Sequence, residues 1–432
     1  MFGLCNMNER EFYSRVEPRD DWAFAHLSRT VTREVTHSYH NYPAKFIPQL
    51  ARSLIEEYTD ENDLIWDPFC GSGTLNVEAY RTNRDSIGTD INPIAIIISR
   101  TKTTPLEPNA LSIFNKELLE TINIHPIRSE KFYISKGVLN GNANVLAKWF
   151  PEESLRELGH ILWYIKDKDI SKKHREFALC AFSSILKLSS YWLRSSVKSQ
   201  IDPDRAPEKP LFYFEKQLEV MENANKHFYH ENENNKTKVR IFKHNAKDNL
   251  PSKIPKIDCI ITSPPYVISY DYSDIFRLST YFLFYQPDYT QFRKNFIGTP
   301  LRKNTHGHFN IPIMGHSIID SVHDTKMRRT LTEYYNDMSK FIKNVRYYLK
   351  KNSQLVMVVG DTELCGIKIP NAYLLTKIAN NFGWLLENAF KREIPVKTLP
   401  TFRDAITGRF TNRRNPNRLE RYNHEYILVF RR

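Results

Sequence analysis

Short apolar runs alternate with helical spacings of apolar residues in two stretches of the chain. Four runs end in polar residues, glycine or proline and predict strands, at Asp63–Trp66, Ser86–Thr89, Ile257–Ile261 and Gln354–Val359. Helical spacing predicts helices at Ile47–Tyr58, Leu75–Arg81, Tyr334–Leu349 and Ala372–Phe382. This alternation is typical of an α/β fold with a parallel sheet and crossover helices. Ligands of such sheets bind outside the carboxyl ends of the strands, so the residues that end these runs form the candidate site.

The alternation stops between Pro105 and Arg240, where apolar residues such as Ala178, Phe182 and Ile185 follow helical spacing. We therefore predict a mainly helical insertion there and an irregular insertion at 286–327. The chain divides into an N-terminal extension (1–36), the first part of an α/β domain (37–104), the helical insertion (105–240) and the second part of the α/β domain (241–432). Either insertion is a candidate for target recognition.

Charge indicates a polyanionic partner. The 432 residues carry a formal net charge of +13, and eleven Lys or Arg against four Asp or Glu lie in the last 42 residues. Basic side chains that neutralise phosphates release counterions, which favours binding to nucleic acid. Within this basic segment we expect phosphate contacts from four arginines that are interleaved with Asn, Phe and Tyr, namely Arg409, Arg413, Arg414 and Arg418. A solvated basic tail is the alternative.

The cysteines and the termini restrict the class of protein. Five scattered cysteines show no CxxC spacing, which disfavours disulfides and a structural metal site, so we expect no metal requirement. No apolar run reaches the roughly 18–20 residues that span a bilayer. The charged N-terminus lacks the apolar core of a signal peptide. We expect a cytoplasmic protein that does not enter membranes.

A glycine-rich turn follows the first predicted strand, from Asp67 to Thr74. Gly71 and Gly73 allow a sharp turn and the close approach of a ligand. No lysine follows the second glycine, as a Walker loop requires, and the three-glycine dinucleotide fingerprint is absent. Asp90 ends the next strand 17 residues after Gly73, close to the spacing at which an acid reaches ribose hydroxyls. A ligand with an adenosyl group fits this turn, and Asp67 could contact the ammonium group of that ligand. The alternative is a tight connection that binds no ligand.

The second candidate motif is Ser263–Tyr266, directly after the strand Ile257–Ile261. Its two prolines, Pro264 and Pro265, cannot continue a sheet and fix the backbone. The Ser263 hydroxyl and the Pro264 carbonyl can accept the N–H hydrogens of an exocyclic amine, and the Tyr266 ring can stack on a base. A base within a duplex reaches such a site only by flipping out of the stack. A WW-domain ligand or an incidental Pro-Pro turn is the alternative.

These two motifs resemble those of the amino-group DNA methyltransferases of restriction–modification systems. The resemblance extends over roughly 37–104 and 240–432. It implies a Rossmann-like sheet of seven strands, with Trp384–Phe390 and Tyr426–Phe430 as its final hairpin, and S-adenosyl-L-methionine as the cofactor. It also implies a cofactor site made of Tyr42, Pro43, Ala44 and Lys45, of Asp67, Pro68, Phe69, Gly71, Ser72 and Gly73, of Asp90, Ile91 and Asn92, and of Asn245 and Ala246. Asn245 stands where the family often has Asp, and Asp248 is a possible substitute.

The resemblance also implies a catalytic site made of Ser263, Pro264, Pro265 and Tyr266, with double-stranded DNA as the substrate and a cognate restriction endonuclease as a possible partner. Ser-Pro-Pro-Tyr is commoner among cytosine-N4 enzymes and Asp-Pro-Pro-Tyr among adenine-N6 enzymes. Cytosine N4 is therefore the expected target, and adenine N6 the alternative.

Two other functions remain open. RNA guanine-N2 methyltransferases use similar turns, but they usually have Asp and Gly where this chain has Ser263 and Val267, and the few residues before His37 leave no room for an RNA-binding module. A non-catalytic DNA-binding specificity subunit would not need both motifs intact.

Overall fold

The computed structural model describes most of the chain. The described residues are 7–28, 30–43, 46–139, 142–167, 169–267, 272–284, 289–302, 311–364, 366–394, 402–404, 410–411, 414–420 and 424–432. Ala44, Lys45, Arg409 and Arg413, which the sequence assigns to the cofactor site and to the basic segment, lie outside them.

The strands include every run predicted from the sequence. They are β1 Glu17–Pro18, β2 Leu64–Asp67, β3 Asp85–Asp90, β4 Val239–Lys243, β5 Ile257–Thr262, β6 Leu349–Val359, β7 Thr362–Leu364, β8 Ile367–Ile369, β9 Leu385–Glu393, β10 Phe402–Asp404, β11 Phe410–Thr411, β12 Arg418–Glu420 and β13 His424–Arg431.

The main sheet has the order β1-β9-β13-β6-β5-β2-β3-β4. The strands from β6 to β4 are mutually parallel, and β13 is antiparallel to both of its neighbours. The predicted α/β class is confirmed, but the described residues form eight strands in this sheet rather than seven. The additional strand is β1, which pairs with β9 through Glu17 and Pro18. A two-residue strand that contains proline leaves no period-two pattern for the sequence to reveal.

The helices cover both faces of this sheet and build a second core beside it. They are α1 Glu9–Ser14, α2 Pro48–Tyr58, α3 Thr74–Arg81, α4 Pro93–Lys102, α5 Pro108–Ile124, α6 Glu130–Ser135, α7 Ala143–Leu146, α8 Glu152–Asp167, α9 Lys172–Ile185, α10 Pro210–Glu231, α11 Tyr272–Ile275, α12 Arg277–Leu283, α13 Tyr289–Arg293, α14 Ile313–Ser321, α15 Thr325–Val345 and α16 Asn371–Asn381. Among the described helices, none is both long and apolar enough to cross a membrane.

The central strands are buried on both faces. Along β6, Val356 and Val358 pack with α2 and α3, whereas Leu355 and Met357 point to the other face and pack with α15 and α16. Side chains alternate between the two faces of a strand, so a strand covered on both faces appears in the sequence as a continuous apolar run. This is the pattern that made these strands predictable.

Helices α5 to α10 lie within 105–240 and pack with α4 and α12 around a core of their own. The 286–327 stretch, expected to be irregular, contains α13, α14 and the start of α15. Gly315 and Ile319 of α14 are buried. Together with buried Ile311, which precedes the helix, they form a row at four-residue spacing.

The N-terminal residues pack into the sheet core instead of extending from it. Phe12 and Trp22 are almost completely buried, against residues of α16 and β9 respectively. The expected extension is therefore part of the α/β unit.

Candidate active site

One cleft opens at the carboxyl ends of β2, β3, β4 and β5. Its volume is about 820 Å³ including its open mouth. From β2 the chain adds β3 and β4 toward one edge of the sheet, and from β5 it adds β6 toward the other edge. The cleft therefore lies where the strand order reverses, between β2 and β5. Open α/β sheets bind ligands at such a point. The cleft is lined by Tyr42, Phe46, Asp67, Pro68, Phe69, Cys70, Gly71, Ser72, Thr74, Leu75, Asp90, Ile91, His244, Asn245, Ala246, Ser263, Pro265, Tyr272, Asn295, Phe296 and Ile297.

The glycine turn is tightly packed. Gly71 and Gly73 have φ values of 49° and 70°, in the left-handed region that favours glycine. A Cβ on Gly71 would lie 3.2 Å from the Tyr42 ring, and one on Gly73 would lie 2.9 Å from the Cβ of Ser99. The turn is therefore held between Tyr42 and helix α4. The left-handed conformation favours glycine at both positions, and at Gly73 the space requires it as well.

Helix α4 also supports the turn through two side chains that the sequence did not single out. The Ser99 hydroxyl donates to the Gly71 carbonyl at 2.6 Å, and the Lys102 Nζ donates to the Ser72 carbonyl at 2.8 Å. Lys102 is only 1% exposed. A buried lysine needs partners, so its position in the apolar helix Pro93–Lys102 was an available signal.

Asp90 accepts hydrogen bonds from the backbone of two loops. Its Oδ2 accepts from the Gly71 N–H at 3.0 Å and its Oδ1 from the Asn92 N–H at 2.8 Å. Burial raises the pKa of Asp90 to about 6, although these backbone N–H groups act to lower it. Asp90 thus fixes the glycine turn relative to the end of β3 and lines the cleft.

Asn92, expected in the cofactor site, does not line the cleft. Its side-chain oxygen accepts from the Ile94 N–H at 3.0 Å and caps α4, whose first residue is Pro93. Asn followed by Pro is a typical start of a helix.

Asp67 joins the two sequence motifs. Its Oδ1 accepts hydrogen bonds from the Thr262 hydroxyl at 2.6 Å and from the Phe69 N–H at 3.1 Å. Burial raises the pKa of Asp67 to about 7, against both of these hydrogen bonds. Within the described structure both bonds reach Oδ1, which leaves Oδ2 for a ligand.

The Ser-Pro-Pro-Tyr turn contributes Ser263 and Pro265 to the wall of the cleft. The Ser263 hydroxyl donates to the Val358 carbonyl at 3.2 Å, so its hydrogen is used and its lone pairs remain as acceptors. Pro264 and Tyr266 do not line the cleft directly, and the Tyr266 hydroxyl donates to Glu425 at 2.7 Å.

Asn245 and Ala246 lie on the far wall, after β4. The Asn245 side chain accepts from the Lys247 N–H at 3.2 Å, whereas Asp248 is exposed and does not line the cleft. The sequence missed the neighbouring segment Asn295–Ile297. Lys247 donates to the Asn295 carbonyl at 3.2 Å, and Asp337 accepts from the Gly298 N–H at 3.0 Å, so the segment is held from both sides.

Known proteins are similar to this chain in sequence. The profile of the DNA methylase family, N6_N4_Mtase, matches residues 6–100. The Type II methyltransferase M.MvaI of Kocuria varians is 29% identical over 399 residues, which cover 86% of this chain and 87% of that protein. The Type II methyltransferase M.BsoBI of Geobacillus stearothermophilus is 27% identical over 57% of this chain and 52% of its own length.

The resemblance to the amino-group DNA methyltransferases is confirmed. Among solved structures, the rRNA methyltransferase aviRa from Streptomyces viridochromogenes is similar with a TM-score of 0.34, at 9% identity over 94% of this chain and 92% of its own. The family match begins at residue 6, so it includes N-terminal residues that pack into the sheet of this methyltransferase.

S-adenosylmethionine is the cofactor of this family, and the cleft of the methyltransferase fits it. The buried hydroxyls of Ser72 and Thr74 line the cleft and have no hydrogen-bond partner within the described structure. Buried polar groups are normally satisfied, so these hydroxyls fit a polar ligand beside the glycine turn. The Oδ2 of Asp67 fits the ligand's ammonium group, and Tyr42 and Phe46 provide apolar surface on the same side.

The basic C-terminal segment of the methyltransferase is partly described. Strands β10, β11 and β12 form a small antiparallel sheet. Arg414 is exposed in the turn before β12, and the Arg418 guanidinium lies 5.8 Å from the centre of the Phe402 ring.

Proposed function

We propose that this methyltransferase transfers a methyl group to the exocyclic N4 of cytosine in a specific sequence of double-stranded DNA and protects that DNA in a restriction–modification system. The observation that carries the proposal is the single cleft lined by the glycine turn, Asp90 and the Ser-Pro-Pro-Tyr turn. The Asp67–Thr262 hydrogen bond connects the two turns.

Different residues of the cleft would hold different parts of the cofactor. When bound, S-adenosylmethionine supplies an electrophilic methyl group on its sulfonium. Asp67 would accept from the ammonium of the methionine part, and Asp90 would bind the ribose. Asn245, Ala246 and Ile91 would hold the adenine. The closely packed Gly71 and Gly73 let the backbone approach the ligand.

The catalytic turn orients the amine instead of supplying a strong base. Ser263 is committed as an acceptor because its hydrogen bonds to Val358, and the Pro264 carbonyl is the second acceptor. Together they align the amine so that its lone pair faces the methyl group. The amine nitrogen forms the new N–C bond as the methyl–sulfur bond breaks, and the resulting cationic amine releases one proton to solvent. Fixed geometry of this kind accounts for a large part of catalysis.

The choice of base rests on Ser263. A neutral hydroxyl at this position is the commoner arrangement among cytosine-N4 enzymes, as the sequence resemblance implies. The same cleft would serve adenine N6, which is the second candidate. The names of the relatives, Type II methyltransferases, support a role in restriction–modification.

Labelled S-adenosylmethionine, unmodified genomic DNA and the purified protein test the proposal, with nucleoside mass spectrometry of the digested DNA. We expect N4-methylcytosine. N6-methyladenine would correct the base and keep the mechanism. Methylated guanine in a parallel tRNA reaction, with no label in DNA, would overturn the proposal. No label in either nucleic acid would favour a non-catalytic subunit.

A further inference from the structure

The tyrosine of the catalytic turn is held by the last hairpin of the sheet. The Tyr266 hydroxyl donates to Oε1 of Glu425 at 2.7 Å, although the two residues are 159 positions apart. Glu425 lies near the start of β13, directly opposite Arg392 of β9 in the strand register.

Glu425 is itself fixed on its other side. Its Oε2 accepts hydrogen bonds from Nε and Nη2 of Arg392, at 2.9 and 2.6 Å. The third nitrogen, Nη1, donates to the Trp22 carbonyl at 2.9 Å. Arg392 is 5% exposed, and two of its N–H groups converge on Oε2, which fixes that oxygen and leaves Oε1 directed at Tyr266. The hydroxyl of Tyr266 therefore ends a chain of hydrogen bonds that begins in the N-terminal segment.

The Tyr266 ring is also restricted by packing. A Cβ on Gly360, just after β6, would lie 2.9 Å from Cε2 and 3.1 Å from Cδ2 of the ring. Only glycine admits the ring at this separation. Packing limits the ring on one side, and the hydrogen bond to Glu425 sets the direction of its hydroxyl. Burial and the nearby carboxylate of Glu425 raise the pKa of Tyr266, so the phenol remains a donor.

We propose that Glu425 and Arg392 are positioning residues for methyl transfer, which hold the Tyr266 ring in the orientation that stacks on the flipped base. The proposal rests on the proposed function, because it assigns Tyr266 to the target base. A ring fixed before the base arrives costs less ordering at the moment of reaction, and a loosened catalytic group lowers the rate more than it lowers binding.

A double-mutant cycle of Tyr266→Phe and Glu425→Gln tests this proposal. Phe keeps the ring and removes the hydroxyl, and Gln keeps the size of the side chain and weakens its bond to the phenol. We expect each variant to lower the single-turnover rate by about ten- to hundredfold. The double variant should be no slower than the slower single variant, and the Kd for S-adenosylmethionine should be unchanged. Tm measurements show whether the fold is retained.

Glu387→Gln is the matched control. Glu387 lies on the same hairpin, pairs across it with Arg431 and accepts from Gln354 at 2.8 Å, away from the cleft. It should have the wild-type rate. A wild-type rate in Glu425→Gln, or rate losses that multiply in the double variant, would overturn the positioning role. Wild-type protein that labels no DNA would overturn the proposed function, and this inference with it.

Discussion

The Thr262 hydroxyl donates to Oδ1 of Asp67 at 2.6 Å and so connects the last residue of β5 to the last residue of β2. These two strands are neighbours at the point where the strand order reverses. The glycine turn begins at Asp67 and the Ser-Pro-Pro-Tyr turn follows Thr262. One hydrogen bond therefore sets the position of the cofactor side of the cleft relative to the catalytic side.

The pKa of Asp67 predicts a pH dependence of cofactor binding. The folded-state pKa of about 7 lies above the ordinary value, so the carboxyl is protonated below pH 7 and ionised above it. Since the ligand's ammonium needs the ionised form, we expect affinity to rise by up to about tenfold between pH 6 and pH 7.5. Asp67→Asn should bind weakly with no such dependence. Calorimetry at the two pH values measures this, and a flat wild-type profile would contradict it.

Gly73→Ala is expected to weaken cofactor binding strongly. A residue with a Cβ at this φ costs roughly 1–2 kcal/mol, and here the Cβ would also press on Ser99. Gly366→Ala is the matched control, because Gly366 has a φ of 78° but nothing within 4 Å of its Cβ position. Both variants should lower Tm, but only Gly73→Ala should raise the Kd for S-adenosylmethionine. Equal Kd values would show that the turn tolerates the methyl group.

Ser263→Ala is expected to slow methyl transfer. It removes an acceptor for the amine, and the loss of one hydrogen bond of about 1.5 kcal/mol corresponds to roughly tenfold in rate. Ser14→Ala controls for the serine-to-carbonyl bond, since the Ser14 hydroxyl donates to the Glu11 carbonyl at 2.9 Å, outside the cleft and both insertions. Single-turnover rates with saturating cofactor compare the two. An unchanged rate in Ser263→Ala would remove serine from the mechanism.

Glu78 is expected to make the fold sensitive to acid. It is completely buried and lies 2.7 Å from His37 and 2.7 Å from Arg52. Burial acts to raise its pKa, but the hydrogen bond and charge of His37 and the charges of Arg81 and Arg52 outweigh it and lower the pKa to about 2.

A carboxyl with a lowered folded-state pKa stabilises the fold above its unfolded pKa, and this stability is lost as the pH falls from about 4.5 to about 2. Glu78→Gln should lower the free energy of unfolding by about 3 kcal/mol at neutral pH, because it removes the carboxylate that pairs with buried His37 and one of the partners of Arg52 and Arg81. Below pH 4.5 the free energies of unfolding of the variant and the wild type should converge. Urea unfolding across this range measures both, and parallel curves would contradict the assignment.

Arg418→Ala is expected to weaken DNA binding without changing which sequence is bound. A lost phosphate contact should lower the slope of log Kd against log salt by about 1. Lys350→Ala is the control, since Lys350 lies near the start of β6, at the end of the sheet away from the cleft, and pairs with Asp258. Equal salt slopes in Arg418→Ala and in wild type would place the DNA elsewhere.

Features that depend on local backbone chemistry are predictable from the sequence. Continuous apolar runs marked β2, β5 and β6 because these strands are buried on both faces. Gly71 and Gly73 marked the turn because few other residues adopt a left-handed φ. The resemblance implied Asn92 as a cofactor residue, whereas Asn followed by Pro is also typical of a helix start, and in the structure the Asn92 side chain caps α4.

Which distant residues meet is a property of the fold. The order of strands brings Thr262 to Asp67 across 195 positions and Glu425 to Tyr266 across 159. The support of the glycine turn by Lys102, and the wall formed by Asn295–Ile297, likewise depend on packing between elements. A local pattern records how a segment meets solvent or core, whereas contacts between segments depend on chain topology. Sequence spacing therefore identified the two motifs, and the fold decided how they are joined and supported.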